Sequence, residues 1–210
     1  VQYALQQAGE NRGELSKILK YYQNQPEKLK AARFLIANMP AHRTYVGKEI
    51  DSLKQMKKES IQKGRISDEI VAHWKTFNYS SSQVVEDIDV IKADILIENI
   101  DLAFEAWEKR SWSKQYSFED FCEYVLPYRI GDEPLEKWRR IYYERYSPVL
   151  DSLYQGNDVV EAARVMANYL KEEGFTNHTD FNLPHLGALF LFENRVGYCR
   201  DNCDIATYVM

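Results

Sequence analysis

Apolar positions recur at steps of three and four along most of the chain, the period of an α-helix with one buried face. Asn11 and Glu14 are spaced like a capping box, and Leu15, Ile18, Leu19 and Tyr22 behind them predict a first well-marked helix. Pro26 suits a first helical turn, and Leu29, Ala32, Phe34, Leu35 and Ile36 continue the pattern until Pro40 stops it, which predicts a helical hairpin. Ile50, Leu53 and Met56 fall on one stripe of a helix ending at Gly64, and Ser67 opens a shorter one through Val71 and Trp74. Beyond the polar break NYSSSQ comes the longest candidate, VIKADILIENIDLAFEAWEKR, with Ile91, Ile95, Leu96, Ile100, Ala103, Phe104 and Trp107 facing a core.

Three further helices carry their own punctuation. SFEDFCEYVLPY starts on a serine cap and ends at Pro127, PLEKWRRIYYERYSP is bounded by prolines, and DVVEAARVMANYLKEEG runs from an aspartate cap to Gly174. Strand-like alternation is scarce; ALFLF, Ala188 to Phe192, is the best β candidate and is equally readable as a buried turn. No exact repeat occurs, so the helix pairs do not form a true solenoid, and the prevailing helical period makes the fold class all-α, a multi-helical array of antiparallel helix pairs. Between Gly174 and Gly197, Asn, Pro, Gly and aromatic residues mark a structured loop leading to a site. A last helix then begins near Cys199 and carries Ile205, Ala206 and Val209 to Met210, with its apolar run cut off in mid-pattern, as in a helix belonging to a longer protein.

Of the 210 residues, 45% are apolar and 13% aromatic, enough to fill a substantial core. The 27 basic and 32 acidic residues leave a net charge of −5, and the basic ones form no stripe, which argues against a nucleic-acid partner. No apolar run approaches the roughly 20 residues of a membrane span, so no transmembrane segment is expected in this chain. The opening VQYALQQAGENRGEL lacks the features of a signal peptide, and a start at Val1 is expected to follow removal of a leader or tag. Three cysteines are too few and too unevenly placed for a disulfide framework.

Cys199 sits where a helix would begin. There the free N–H groups and the helix dipole favour a thiolate, Gly197 two positions earlier permits close backbone approach, and a helix-start N–H can stabilise an oxyanion. This is the chemistry of acyl transfer through a thioester, set against the plainer reading of Cys199 as a small buried hydrophobe. Cys203, one turn further in, is expected to pack, and Cys122 to lie in the core. Two other readings compete. His178, His185, Cys199 and Cys203 form a loose zinc-ligand series, although the reading adopted assigns no metal and no cofactor. Trp138, Tyr142, Tyr143 and Tyr146, interleaved with arginines, offer stacking for sugar or peptide, or else lie half in the core with the arginines solvated or paired with Glu136 and Glu144.

RVGYCRDNCDIATYVM resembles the catalytic segment of the transglutaminase-like superfamily, whose nucleophilic cysteine follows a glycine by two, precedes an acid by two and opens a helix with small residues. Gly197, Cys199, Asp201 and Ala206 occupy those places. AARFLIANMP, IKADILIENIDLAFEAWEK, FCEYVLPYRIGDEPLEKWR and LFLFENRVGYC resemble the N-terminal helical region of large transglutaminase-like proteins of Bacteroides-type gut bacteria, so the resemblance covers nearly the whole chain.

The resemblance implies an N-terminal helical domain over 1–155 and, over 156–210, the incomplete start of a transglutaminase-like, papain-like α+β core. It implies Cys199 as nucleophile supported by Gly197, Tyr198 and Asp201, amide or peptide hydrolysis or acyl transfer, and a peptide, protein or cell-wall substrate. An exported, envelope or periplasmic protein is implied as well. In that superfamily a histidine base and an orienting acid follow the nucleophile, whereas His42, His73, His178 and His185 all precede Cys199. The chain by itself is therefore expected to be inactive, with His178 or His185 as bases only if space rather than order pairs them with Cys199. Ile205 and Val209, left without the family's sheet, give a face for self-association. The alternative is a non-enzymatic helical module that binds peptide or glycan.

Overall fold

The computed structural model describes residues 1–64, 67–76, 82–177 and 184–210, and omits the side chains of Ile70 and Trp74. Helix α1 (Gln2–Gln7), a 3₁₀ turn at Gly9–Asn11 and α2 (Arg12–Tyr21) put Ala4, Ala8, Leu15, Ile18 and Tyr22 on one buried face. Helix α3 (Pro26–Asn38) begins on its proline, where the missing N–H would have had no helical partner, and adds Ala31, Ala32, Leu35 and Ile36.

The capping-box expectation at Asn11 and Glu14 is corrected. Asn11 Nδ2 donates to the carbonyls of Ile88 (3.1 Å) and Ile91 (2.9 Å), and Glu14 Oε2 accepts from the Ala93 N–H at 2.9 Å. Both side chains serve a joint far along the chain. There the long helix expected from Val90 starts only at Ala93, as α7 (Ala93–Lys109); the one-turn α6 (Asp87–Val90) precedes it, with Ile91 and Lys92 extended between them. The groups left unpaired by the break are those that Asn11 and Glu14 satisfy.

Strands β1 (Arg43–Val46) and β2 (Gln83–Glu86) pair antiparallel, Arg43 opposite Glu86, and flank α4 (Lys48–Gln62) and α5 (Asp68–Thr76). On α4 the buried stripe is Ile50, Leu53, Lys57 and Ser60, with Met56 only partly covered. Ser117 and Asp120 form the expected N-terminal cap of α8 (Phe118–Asp120), which widens into a π turn at Phe121–Val125. Helix α9 (Arg139–Leu153) runs through Pro148 instead of stopping there, and Leu150 beyond the proline is fully packed.

Helix α10 (Val159–Glu172) is capped by Asp158, whose carboxylate accepts from the Val160 N–H at 2.8 Å. The β candidate ALFLF is helical: it lies in α11 (Ala188–Asn194), where Ala188, Phe190 and Leu191 are buried and Arg195 ends the helix in the left-handed region at φ 52°. The strands nearby are instead β3 (Thr176–Asn177) and β4 (Val196–Gly197), a two-residue parallel pair. Helix α12 (Cys199–Val209) closes the described chain.

The described chain is mostly helical, 67% helix against 6% strand. Its first core draws on buried residues from Ala4 to Tyr128, and its second on residues from Trp112 to Val209. Helix α9 joins them by packing on both α7 and α12. No described helix is long and apolar enough to cross a membrane.

Candidate functional site

The turn from β4 into α12 is built around Gly197 and Asp201. A Cβ on Gly197 would fall 2.5 Å from Asp201 Cβ and 3.2 Å from Leu191 Cδ2, so no larger residue fits without displacement. The Asp201 carboxylate folds back over this gap, accepting from the Tyr198 N–H at 2.8 Å and the Leu186 N–H at 3.3 Å. Asp201 is fully buried; burial pushes its carboxyl pKa up, and the two backbone N–H groups pull it back. The glycine, the acid and the tyrosine backbone thus hold one tight helix start.

Cys199 is the first residue of that helix and is exposed. Cys203 is exposed too, which corrects the expectation that it packs. At about 100° per residue, positions four apart share a helix face, and both thiols occupy the outer face, while Asp201, Asp204, Ile205 and Tyr208 occupy the inner one. Cys122 lies in the first core as expected, where burial pushes its thiol up to about 11.

His185 is on the other side of α12 from the thiols. Its Nδ1 lies 2.6 Å from Asp204 Oδ2, and its backbone N–H donates to Asp132 Oδ1 at 3.1 Å. A Cβ on Gly131 would come within 2.7 Å of Nε2, so the far edge of the ring rests against that glycine. The hydrogen bond to Asp204 raises the imidazole pKa, and burial opposes it. His42 Nδ1 pairs with the Tyr128 hydroxyl at 3.2 Å, and His178 lies outside the described residues.

The described zinc candidates are therefore not gathered, since both thiols face outward and His185 faces inward. His185, Asp201 and Asp204 do bring one ligand atom each within 4.8 Å of one another. Asp201 already accepts two backbone N–H groups and Asp204 already holds the imidazole, so this trio is a hydrogen-bonded cluster.

Two buried charges beside α12 escaped the sequence reading. Lys57 is fully buried on α4, and burial pushes its amine down to about 7 while the Asp201 charge opposes that shift. Lys57 follows Ile50 and Leu53 at helical spacing, but a lysine and a serine do not continue an apolar stripe, so periodicity alone does not mark it. Glu133 accepts from the Ile130 and Gly131 N–H groups at 2.5 and 2.6 Å, and the Tyr208 hydroxyl donates to it at 3.4 Å.

Trp138, Tyr142 and Tyr146 are buried, with Trp138 Nε1 donating to the Tyr128 carbonyl and the Tyr142 hydroxyl to that of Ala188. Three of the four interleaved aromatics are therefore unavailable for stacking on a surface ligand. Arg140 pairs with Glu98 and Glu144, whereas Glu136 accepts from the Leu189 N–H instead of from an arginine. Ile205 and Val209 are buried in the second core, so the face expected to seek another chain is covered by the helical region itself. Comparison with family models, with curated proteins and with solved structures finds no match to this chain.

Proposed function

We propose that the chain carries the nucleophile of a transglutaminase-like cysteine enzyme, which hydrolyses or transfers amide bonds through a thioester on Cys199. The observation that supports this reading is an exposed thiol on the first residue of α12, at a strand-to-helix turn whose shape depends on Gly197 and Asp201. A thiolate there attacks a substrate carbonyl, and N–H groups of the first helical turn offer donors for the oxyanion. Protonation of the leaving amine needs a positioned acid, a contribution of about 10²–10⁴-fold.

His185 is committed to Asp204 on the opposite face, so the acid–base pair of this reading falls outside the described residues. The helical region over 1–155, the core begun at 156, a peptide, protein or cell-wall substrate and an envelope location belong to the same proposal.

Alkylation kinetics test it. Cys199 and Cys203 are both exposed and one turn apart, so Cys203 is an internal control for access. With iodoacetamide near neutral pH and mass-spectrometric mapping, Cys199 should react about tenfold faster than Cys203, and Cys122 should stay unmodified. Equal rates at the two exposed thiols would remove the proposed nucleophile. The 210-residue chain should show no thiol-dependent amide hydrolysis; activity that is lost in Cys199→Ala would redirect attention to His178 as the base.

A further inference from the structure

A cleft of about 1040 Å³ runs between the two cores, at the upper end of the range for small-molecule sites, roughly 300–1,000 Å³. Its walls are aromatic, with Trp107, Trp112, Tyr116, Tyr124 and Tyr208 among them, and the last turns of α12 border it, away from Cys199. Arg139 lines the same cleft. Its Nε donates to Asn99 Oδ1 at 2.7 Å, and one Nη donates to the carbonyls of Val125 and Pro127 at 2.8 and 2.9 Å. The guanidinium also lies 4.6 Å from the Trp138 ring centroid. All of these partners are neutral, and among the described residues no carboxylate pairs with Arg139 and its Nη1 has no acceptor. Burial pushes the group down to about 9, so it remains a cation at neutral pH.

The other arginine of the cleft, Arg129, is neutralised by Asp87 through a pair of 2.6 Å bonds. A half-buried cation without a carboxylate partner, set in aromatic walls, suits an anion with an apolar body. Asp120 and Glu123 also border the cleft and disfavour a multiply charged anion. We propose that this cleft binds an apolar monocarboxylate, its carboxylate on Nη1 of Arg139 and its aromatic or alkyl body against the tryptophan walls. The site is separate from the Cys199 thiol and stands independently of the enzyme reading.

Isothermal titration of the 210-residue protein with 2-naphthoate, neutral 2-naphthamide and 2-naphthylmethylammonium tests it, with tryptophan fluorescence as a second readout. Naphthoate should bind about tenfold more tightly than the amide, the difference expected of a charge-assisted hydrogen bond, and the ammonium should bind least. Arg139→Gln should erase the preference for naphthoate. Because Arg139 also braces the Val125 and Pro127 carbonyls, Ala163→Trp provides a second arm: Ala163 is an exposed residue bordering the cleft, and a tryptophan there should block all three compounds while leaving those bonds intact. Equal affinity for naphthoate and naphthamide, naphthoate binding unchanged in both variants, or no naphthoate binding up to about 10 mM would each overturn the proposal.

Discussion

His185 Nδ1 and Asp204 Oδ2 lie 2.6 Å apart, tying the segment before α11 to the inner face of α12. The bond raises the imidazole pKa above its ordinary 6.5, with Asp132 adding to the effect and Arg200 and burial opposing it. A raised pKa means that the folded chain holds this proton more tightly than the unfolded one. The contribution is complete below about pH 6.5 and is lost as pH rises through the raised folded value. The melting-temperature gap between the native chain and His185→Gln should therefore be widest near about pH 5 and shrink toward about pH 9. A gap that stays constant across that range would detach the pair from stability.

Gly197→Ala places a methyl where Asp201 Cβ already sits. Overpacking of this kind costs about 1–3 kcal/mol, and relief requires Asp201 to leave the Tyr198 N–H. Urea unfolding should show the loss, and alkylation of Cys199 should slow toward the rate at Cys203. A variant as stable as the native chain, with the Cys199 rate unchanged, would mean that the turn tolerates the methyl.

The buried pair Asp87 and Arg129 holds β1, the start of α6 and the segment before α9 together. Arg129 gives Asp87 two bonds of 2.6 Å and also donates to the carbonyls of Arg43, Gly131 and Glu133. Arg129→Met strands a buried carboxylate and should cost about 3–5 kcal/mol in denaturant unfolding. Asp87→Asn with Arg129→Met together should cost less than the single Arg129→Met, and additive losses would count against the pair acting as a unit.

Asn11→Leu removes both acceptor contacts at the joint between α6 and α7, leaving the Ile88 and Ile91 carbonyls buried without that donor. A loss of about 2 kcal/mol is expected. Hydrogen exchange of amides around Ile91 to Ile95 should quicken more than that of amides in α10, and uniform quickening would place the effect elsewhere.

The helices were legible because their evidence is local. Pro26, Ser117 and Asp158 act where they stand, and the start of α12 at Cys199 follows from the pattern around it. What failed was decided at a distance. Asn11 has a capping residue's spacing but spends its side chain on Ile88 and Ile91, a choice visible only when α2 and α6 meet. Pro148 is a stop signal that α9 passes through to bury Leu150, and ALFLF is too short for its period to separate helix from strand. Gly197, Cys199 and Asp201, close in sequence, lie together at the turn from β4 into α12. The engagement of His185 by Asp204 and the burial of Lys57 beside Asp201 depend on how α4, α11 and α12 assemble.

The division of the interior into two cores also sets an order of events during synthesis. Every buried member of the first core has been translated once Tyr128 is added, while residues 129–210 are still to come. At about 5–20 residues per second, those remaining residues take roughly 4–16 s. Contacts such as Tyr22 to Ile97 join distant segments of the first core, yet helical domains fold in microseconds to milliseconds, so this core has time to set while the rest of the chain is still being added. The nascent chain then presents a finished α7 surface on which α9 is laid down, and α9 in turn is the surface that receives α12 with its thiol.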